Sequence, residues 1–214
     1  MKKFLPLMLD LSGKEVIIFG GGNVGERKAL LFCDHARVTV VSREFTPSLI
    51  RLSEQGKIKL VRVENLVEKD TARYLDNAFI VIPATNDAAL NEKIAQISWQ
   101  EGMLVNRVDD TGDIIVPSVI RRGDIIIGIS TLGQSPALSK YIRQRIEKVI
   151  TPGFERMSQL QNEIRELLKL KVDDQKKRRE ILWNIINDND VWIALEESYE
   201  KAYKEASKHI GKIE

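Results

Sequence analysis

The sequence predicts an α/β protein in which a parallel sheet comes first, a small β-rich region follows, and helices end the chain. Three observations lead to this fold class. Short apolar runs alternate with helix-like segments as far as Thr111, which is typical of a parallel sheet with helices on both faces. A loop with closely spaced glycines follows the first apolar run. From Ser135 onward the pattern is helical to the end of the chain.

The first half of the chain repeats strand and helix in turn. Val16–Phe19 is a short apolar run that ends in glycine, as buried parallel strands do. A helix is expected over Val24–Cys33, and β-branched residues make Arg37–Ser42 a second strand. The later elements are a helix over Phe45–Gln55, strands over Lys57–Val63, Asn77–Thr85 and Met103–Asp110, and a helix over Asp87–Gly102.

The alternation stops near Thr111. Two apolar strand-like runs in "DIIVPSVIRRGDIIIGIST" are joined by "RRGD". Because this link is too short for a crossover helix, the two runs are expected to pair as an antiparallel hairpin. The domain boundaries that follow are 1–113 for the parallel-sheet domain, 114–150 for the β-rich region and 151–214 for a helical C-terminal domain.

Composition limits the function classes. The chain has 214 residues and a net charge of +2, which is too even to indicate a nucleic-acid partner. Its one cysteine leaves no intrachain disulfide, so a reducing compartment, the cytoplasm, is expected. The two histidines lie far apart in the sequence, and no metal site is predicted. No apolar run approaches the about 18 residues of a membrane span.

The glycine loop is the first candidate site. In "EVIIFGGGNVGERKALLF" the pattern G-x-G-x-x-G follows a strand and opens a helix, as a dinucleotide-binding loop does. Gly20 permits a tight turn, Gly22 leaves room for a pyrophosphate, and Gly25 lets the helix approach the strand. The helix N-terminus offers N–H groups to phosphates. A Rossmann-like NAD-binding domain is therefore predicted rather than a turn without a ligand. Its cofactor-binding loop is Gly20, Gly21, Gly22, Asn23, Val24 and Gly25.

The end of the second strand lacks a residue that NAD sites often have. An acid about 20 residues after the loop usually bonds the ribose hydroxyls, whereas this chain has Ser42 there, with Arg43 beside it. Ser42 is still able to bond a hydroxyl. Arg43 would either meet the 2′-phosphate of NADP or be a solvated surface arginine. Both residues are expected at the cofactor, and the choice between NAD and NADP stays open at this point.

Five segments in chain order carry a resemblance to a known family. They are "LPLMLDLSGKEVIIFGGGNVGERKA", "ARVTVVS", "PATNDAALNEKI", "VNRVDD" and "IIVPSVIRRGDIIIGISTLGQSPALSKYIRQRIE", between Leu5 and Glu147. Together they resemble the precorrin-2 dehydrogenase family, which includes the N-terminal part of siroheme synthase. The specific feature is the combination of G-G-G-x-V-x-x-R-K, V-P-S, R-G-D and I-S-T-x-G-x-S-P-A.

The resemblance implies an activity and an assembly. Precorrin-2 would lose two hydrogens to NAD⁺ and become sirohydrochlorin, a step of siroheme biosynthesis. Some members then insert Fe²⁺, so this second activity is left open. The family also implies a homodimer, in which residues 114–150 form the dimerisation region between the Rossmann-like and helical domains.

The resemblance further implies where the chemistry lies. Asp109 matches the family's essential aspartate and is expected to act as general base. On turn chemistry alone, Asp109 and Asp110 would merely start a turn. Thr85 and Asn86 end the preceding strand and are expected to line the ribose and nicotinamide of the cofactor. Asn106 is expected to bind cofactor or substrate, with a plain strand-edge amide as the alternative.

The substrate requires positive charge and hydrogen-bond donors. Precorrin-2 carries eight carboxylates, so a local electropositive site is expected. For each candidate cation, a solvated or intrachain-paired role is the alternative. The family places the loop "ISTLGQSPAL" near the active site, so the hydroxyls of Ser130 and Thr131 are expected to meet substrate carboxylates. The candidate cations are Arg107, Arg121, Arg122, Lys140, Arg143 and Arg145.

Two other functions share some of these features. An NAD-sensing dimeric regulatory module without catalysis would use the same loop, but it usually has an acid where this chain has Ser42. Such a module does not need the V-P-S and I-S-T-x-G-x-S-P segments. A short-chain dehydrogenase would need a Tyr-x-x-x-Lys pair, whereas Tyr141 is followed by Arg145. The sequence therefore favours the dehydrogenase, and the regulatory module is the alternative.

Overall fold

A computed structural model of the chain describes residues 3–64, 71–107 and 112–211. The chain divides into two compact units, Met1–Val116 and Pro117–Glu214. The first unit holds the parallel sheet and ends within a few residues of the boundary expected from the sequence. The second unit holds the hairpin and the terminal helices, and the division between 150 and 151 stays a prediction.

The first unit is built on a parallel sheet. Its strands are β1 (Glu15–Phe19), β2 (Arg37–Ser42), β3 (Ile58–Arg62), β4 (Ala78–Pro83) and β5 (Leu104–Val105). In the described part of the chain the strand order is β3-β2-β1-β4-β5, and each neighbouring pair is parallel. The chain thus moves outward from β1 to β3 and then crosses back to place β4 on the other side of β1. Doubly wound sheets bind their ligands at such a switch point.

Helices cover both faces of this sheet, as the sequence predicted. They are α1 (Asn23–Phe32), α2 (Pro47–Glu54) and α3 (Ala88–Gln100). Val16 and Ile18 of β1 belong to the same buried cluster as Ala29 of α1. Ile17 and Phe19 instead belong to the cluster that contains Ile94 of α3. Successive side chains of a strand point to opposite faces, so a fully apolar β1 is able to support both layers.

The fifth strand is shorter than the sequence predicted. A strand was expected over Met103–Asp110, whereas β5 has only two residues, Leu104–Val105. Beyond it, the backbone N–H of Asn106 still donates to the Val81 carbonyl at 3.0 Å. The returning chain then occupies the open side of the strand, because Asp113 N–H donates to the Val105 carbonyl at 2.9 Å. This return closes the ladder where a longer strand would have continued.

The second unit begins with the predicted antiparallel hairpin. Strands β6 (Ser118–Arg122) and β7 (Ile125–Ile129) pair with Ile120 opposite Ile127. Helix α4 (Pro136–Glu147) starts at Ser135, whose hydroxyl accepts a hydrogen bond from Leu138 N–H at 3.3 Å. Ser135 is therefore the N-cap and Pro136 the first helical residue.

Four further helices complete the chain, which confirms a helical C-terminal region. They are α5 (Gly153–Lys171), α6 (Gln175–Asn187), α7 (Asn189–Glu197) and α8 (Tyr199–Gly211). Met157, Leu160, Ile164 and Leu168 recur at helical spacing along α5 and pack into one buried cluster with residues of the other three helices. Among the described residues, no helix is both long enough and apolar enough to cross a lipid bilayer.

Asp188 joins three of these helices. It ends α6 and begins α7, where its carboxylate accepts a hydrogen bond from Asp190 N–H at 2.9 Å. Its second oxygen lies 2.6 Å from Nε2 of His209 in α8. The hydrogen bond with His209 is the main cause that lowers the pKa of the Asp188 carboxyl. One carboxylate therefore serves as both a helix cap and a link to α8.

We expect Asp188→Ala to reduce the free energy of unfolding by about 1–2 kcal/mol at pH 7, because a cap and a side-chain hydrogen bond are lost together. A lowered pKa contributes stability only while the carboxylate is ionised, above its ordinary value of 3.8. The difference between wild type and variant should therefore shrink as the pH falls through the folded-state pKa. Urea denaturation at several pH values measures this difference in the free energy of unfolding. Asp173→Ala, which replaces an exposed aspartate, is the control. Equal losses in both variants would contradict this role.

Candidate functional site

A cleft of about 640 Å³ lies at the carboxyl ends of β1, β2 and β4. It opens at the switch point of the sheet, where the fold favours ligand binding. Asn23, Val24 and Gly25 form the first turn of α1 directly behind it. The structure thus brings the predicted cofactor residues to one place. Those that line the cleft are Gly20, Gly21, Gly22, Ser42, Arg43, Thr85 and Asn86.

Close backbone packing makes three of the loop glycines necessary. Gly20 has a φ of +118°, and a Cβ there would lie 2.2 Å from the Ala84 carbonyl oxygen. A Cβ on Gly25 would lie 1.9 Å from the carbonyl oxygen of Gly20, and one on Gly21 would lie 2.1 Å from that of Glu44. Gly22 differs, since a Cβ there would meet no protein atom within 4 Å. Packing within the protein therefore does not require a glycine at position 22.

The N-terminus of α1 supplies hydrogen-bond donors at the same place. Gly22 is the N-cap residue, and as a glycine it has no side chain that could accept a hydrogen bond from the first turn. The N–H groups at the start of a helix lack partners within the helix, and the helix dipole adds positive potential there. A phosphate group satisfies both requirements. The loop therefore fits the pyrophosphate of a dinucleotide, with the bare Gly22 leaving it room.

The end of β2 offers polar groups for a ribose. Ser42 is half-buried at the wall of the cleft, and Arg43 donates from Nε to the Glu64 carbonyl at 3.0 Å. Glu44 also lines the cleft, two residues beyond the position where an acid was expected. The sequence interpretation missed Glu44, although it is the first acidic residue after β2. A carboxylate for the ribose hydroxyls is thus present near the cleft.

Asn91 in α3 holds the turn that follows β4. Its Oδ1 accepts hydrogen bonds from the N–H of Thr85 at 3.0 Å and from the Thr85 hydroxyl at 2.7 Å. Its Nδ2 donates to the Thr85 carbonyl at 3.0 Å. Asp87 caps α3 by accepting from two N–H groups of the first turn, at 2.9 and 3.0 Å. Asn86 lies between these fixed residues and is part of the cleft lining.

Asn106, predicted to bind cofactor or substrate, is buried just beyond β5. Only 3% of it is exposed, and its Nδ2 donates to the Ile114 carbonyl at 3.0 Å. Its Oδ1 accepts a hydrogen bond from Lys28 Nζ of α1 at 2.7 Å. These protein contacts occupy the amide. The sequence interpretation did not single out Lys28, although it lies within the G-G-G-x-V-x-x-R-K segment.

Lys28 is a half-buried cation. Burial lowers the pKa of its ammonium group, and the neighbouring guanidinium of Arg27 lowers it further. Within the described ranges, no carboxylate forms an ion pair with Lys28. Arg107 provides a contrast at the same strand end, since its Nη1 lies 2.6 Å from Oε2 of Glu92.

Asp109 and Asp110 lie outside the described residues, but both ends of their loop are fixed. The Asp113 carboxylate accepts hydrogen bonds from the Val105 N–H at 3.1 Å and from the indole N–H of Trp99. A Cβ on Gly112 would lie 2.1 Å from the Val105 carbonyl oxygen, so only glycine allows this close return. The described residues on both sides of this segment, 106–107 and 112–113, therefore lie at the carboxyl end of β5.

The hydroxyls of Ser130 and Thr131, in the second unit, differ in their surroundings. Thr131 Oγ1 accepts from the Ser135 N–H at 3.0 Å and donates to the Ser135 carbonyl at 2.9 Å. It is thus engaged inside its own loop. Ser130 is exposed, and among the described residues its oxygen accepts only the Leu132 N–H, at 3.0 Å. Its own proton remains available as a donor.

Several of the candidate cations already have partners. Arg143 pairs with Glu147 at 2.6 Å, and Arg122 donates to the carbonyls of Ile150 and Arg121 at 3.2 and 2.9 Å. Arg107 is paired as described above. In the described part of the chain, the predicted cations without such contacts are Arg121, Lys140 and Arg145.

Comparison with known proteins gives a consistent result. A family model described as NAD(P)-binding matches residues 7–118. The chain is 49% identical over 205 residues to a precorrin-2 dehydrogenase of Methanosarcina barkeri, which covers 95% of this chain and 92% of that protein. It is 34% identical to a siroheme synthase of Zymomonas mobilis, over 84% of this chain and 38% of that longer protein. The solved structure of SirC, a precorrin-2 dehydrogenase, superimposes with a TM-score of 0.76 at 27% identity, covering 96% of this chain and all (100%) of that one.

We expect Gly22→Ala to weaken NAD⁺ binding by about tenfold or more, because the methyl group would occupy the space left for the pyrophosphate. The fold should persist, since Gly22 has a φ of −82° and its Cβ would meet no protein atom within 4 Å. Fluorescence titration with NADH and thermal unfolding measure the two effects. Gly211→Ala, also in open space, is the matched control. An unchanged affinity in Gly22→Ala would contradict this assignment.

Proposed function

The chain belongs to the precorrin-2 dehydrogenase family, and on that basis we propose that it oxidises precorrin-2 to sirohydrochlorin in siroheme biosynthesis, with NAD as its cofactor. The observation that carries the proposal is the phosphate cradle at Gly22, in a chain that matches a precorrin-2 dehydrogenase over nearly its whole length. The single cysteine fits a reducing compartment, and we place the reaction in the cytoplasm.

The oxidation removes a hydride and a proton from the substrate. NAD⁺, when bound, supplies the hydride acceptor. The N–H groups at the start of α1 hold its pyrophosphate, and Ser42 and Glu44 lie at the end of β2, where a ribose is bound in this fold. Another part of the cleft wall is the turn after β4, which Asn91 fixes through Thr85. A fixed turn holds its groups in place without a reorganisation cost.

We propose that Asp109 accepts the proton that precorrin-2 loses. The support is its match to the family's essential aspartate and the place of the described residues on either side of it, Arg107 and Gly112, which follow β5. In a doubly wound sheet the adenosine half of the cofactor lies beside β2, so the reacting half lies on the β4 and β5 side. The described residues next to Asp109 in the sequence are therefore on the side where the substrate must bind. As general base, Asp109 takes the proton that accompanies the departing hydride.

We also propose that the protein acts as a homodimer through residues 114–150. Val119 pairs with Gly128 and Arg121 with Ile126, so these four residues share one face of the hairpin. Val119 and Ile126 are 41% and 36% exposed on that face, whereas Ile120 on the other face is buried. The exposed apolar side chains of this face, Val119 and Ile126, flank Arg121 and gain stability when they are covered. A second copy of this chain offers the same surface, as a twofold interface requires.

The direct test is anaerobic incubation of the purified protein with precorrin-2 and NAD⁺. Sirohydrochlorin absorbance should rise together with NADH, in equal amounts. NADP⁺ in place of NAD⁺ should support slower turnover. A folded protein that binds NAD⁺ yet forms no sirohydrochlorin would overturn the proposal and favour the regulatory module.

In the same assay, Asp109→Ala should reduce turnover by about 10²–10⁴-fold, the range for a lost general base. NAD⁺ binding should not change, since the pyrophosphate cradle lies at another strand end. Asp110→Ala is the matched control and should keep most of the activity. Normal turnover in Asp109→Ala would refute the assigned role.

Ile126→Lys should convert the dimer to a monomer, because a buried lysine without a partner is costly at an interface. Light scattering coupled to size-exclusion chromatography measures the mass. Ile193→Lys is the control, since Ile193 is 55% exposed on α7, away from the hairpin. The proposed interface would be wrong if both variants stayed dimeric.

A further inference from the structure

The ammonium group of Lys28 has no counter-charge among the described residues. It has three N–H donors, and one of them bonds Asn106 Oδ1 at 2.7 Å. No other acceptor contacts it in the described ranges. Removing a cation from water is costly unless an anion offsets it, and the lowered pKa of Lys28 reflects that cost. The remaining donors thus suit an anion from outside the protein.

Asn106 keeps this ammonium group in one position. Its backbone N–H is tied to Val81 of β4 at 3.0 Å, and its Nδ2 is tied to the Ile114 carbonyl at 3.0 Å. The amide is nearly inaccessible to water, so its oxygen has little freedom to move. Lys28 comes from α1, and its ammonium group reaches this oxygen beyond the end of β5. The cation is therefore preorganised before any ligand arrives.

The contact between Lys28 and Asn106 lies on the side of the switch point from which the substrate must approach. Lys28 meets Asn106 just beyond β5, whereas Ser42 and Glu44 stand at the end of β2, on the opposite side of β1. The adenosine half of a dinucleotide lies on the β2 side, so the molecule that gives up the hydride must approach from the β4 and β5 side. Lys28 is also absent from the wall of the cofactor cleft.

Arg107, the cation that the sequence suggested for this edge, is less suited to this role. Its guanidinium is paired with Glu92 at 2.6 Å, so its charge is already offset. Lys28 has no such pair within the described ranges. Of these two cations, Lys28 therefore gains more from a new carboxylate partner. A half-buried ion pair is also screened less by salt than a surface pair.

We propose that Lys28 binds one carboxylate of the tetrapyrrole substrate, with Asn106 as the positioning residue that fixes its ammonium group. This inference rests on the proposed function, because it takes precorrin-2 as the polycarboxylate that reaches this edge. The ammonium contacts the carboxylate as a point charge and a hydrogen-bond donor. It thereby anchors one edge of the macrocycle at the end of the sheet where oxidation occurs.

Lys28→Gln tests the proposal. The KM for precorrin-2 should rise about tenfold or more, the size of one charge-assisted hydrogen bond. The Kd for NAD⁺ should stay unchanged. The KM of Lys28→Arg, which keeps the charge, should lie between the KM values of Lys28→Gln and wild type. Arg27→Gln is the matched control, because it removes the same charge from the exposed neighbouring residue of α1.

Asn106→Asp separates substrate binding from a structural bond. The new carboxylate keeps a partner for Lys28 but neutralises its charge, so precorrin-2 binding should weaken although the contact between Lys28 and residue 106 remains. A carboxylate cannot donate to the Ile114 carbonyl as the amide Nδ2 does, so thermal unfolding and the Kd for NAD⁺ are measured beside the KM to separate lost stability from lost substrate binding. A purely structural Lys28 would instead leave the KM of Asn106→Asp near that of wild type. This variant also tests the proposal if Lys28→Gln does not fold.

A binding measurement distinguishes failure of this inference from failure of the proposed function. Uroporphyrin is a stable macrocycle with eight carboxylates, and its fluorescence reports binding without turnover. Lys28→Gln should bind it about tenfold more weakly than wild type. If wild type bound uroporphyrin through Lys28 but did not oxidise precorrin-2, only the proposed function would fail. If Lys28→Gln and Arg27→Gln bound equally well, or lost kcat at an unchanged KM, the role of Lys28 would be refuted.

Discussion

The close contact of three backbone segments at Gly20 is the constraint on which the candidate site depends. The carbonyl oxygens of Ala84 and Gly20 lie where side chains of Gly20 and Gly25 would otherwise be. The end of β1, the turn after β4 and the first turn of α1 therefore meet without any side chain between them. Because α1 starts so close to the strand, its free N–H groups point into the cleft at the switch point. A larger residue at Gly20 or Gly25 would move the helix start away from this position.

This packing separates the two sides of the site. On the side of β2, Ser42 and Glu44 offer an oxygen-rich wall that suits ribose hydroxyls. On the side of β5, Lys28 brings a positive charge that a buried amide holds in place. Oxidation by a dinucleotide needs such a division, because cofactor and polycarboxylate substrate must approach the same edge from different sides. The positive charge on the β5 side comes from α1, whereas the oxygens on the β2 side come from residues at and after the end of that strand.

The local periodicity of the sequence predicted most of the fold. The apolar run of β1, the β-branched residues of β2 and the N-caps Asp87 and Ser135 act over a few residues, so they are visible without tertiary contacts. The predicted length of β5 was wrong, because a pattern of apolar residues does not show that Asp113 returns to form a hydrogen bond with Val105. Asn91 was missed for a similar reason, since its role depends on a contact with Thr85.

The sequence by itself determined the parallel sheet, the hairpin, the helical tail and the dinucleotide loop, because each follows from residue spacing along a strand, helix or turn. It also carried the family resemblance from which we propose Asp109 as the general base. Only the tertiary structure decided which polar groups are already satisfied. It showed that Arg107 is paired with Glu92, that Thr131 is engaged within its loop, and that Lys28 and Asn106 meet across 78 positions of the chain. Charge compensation and burial are properties of groups brought together in space, so the order of residues does not reveal them.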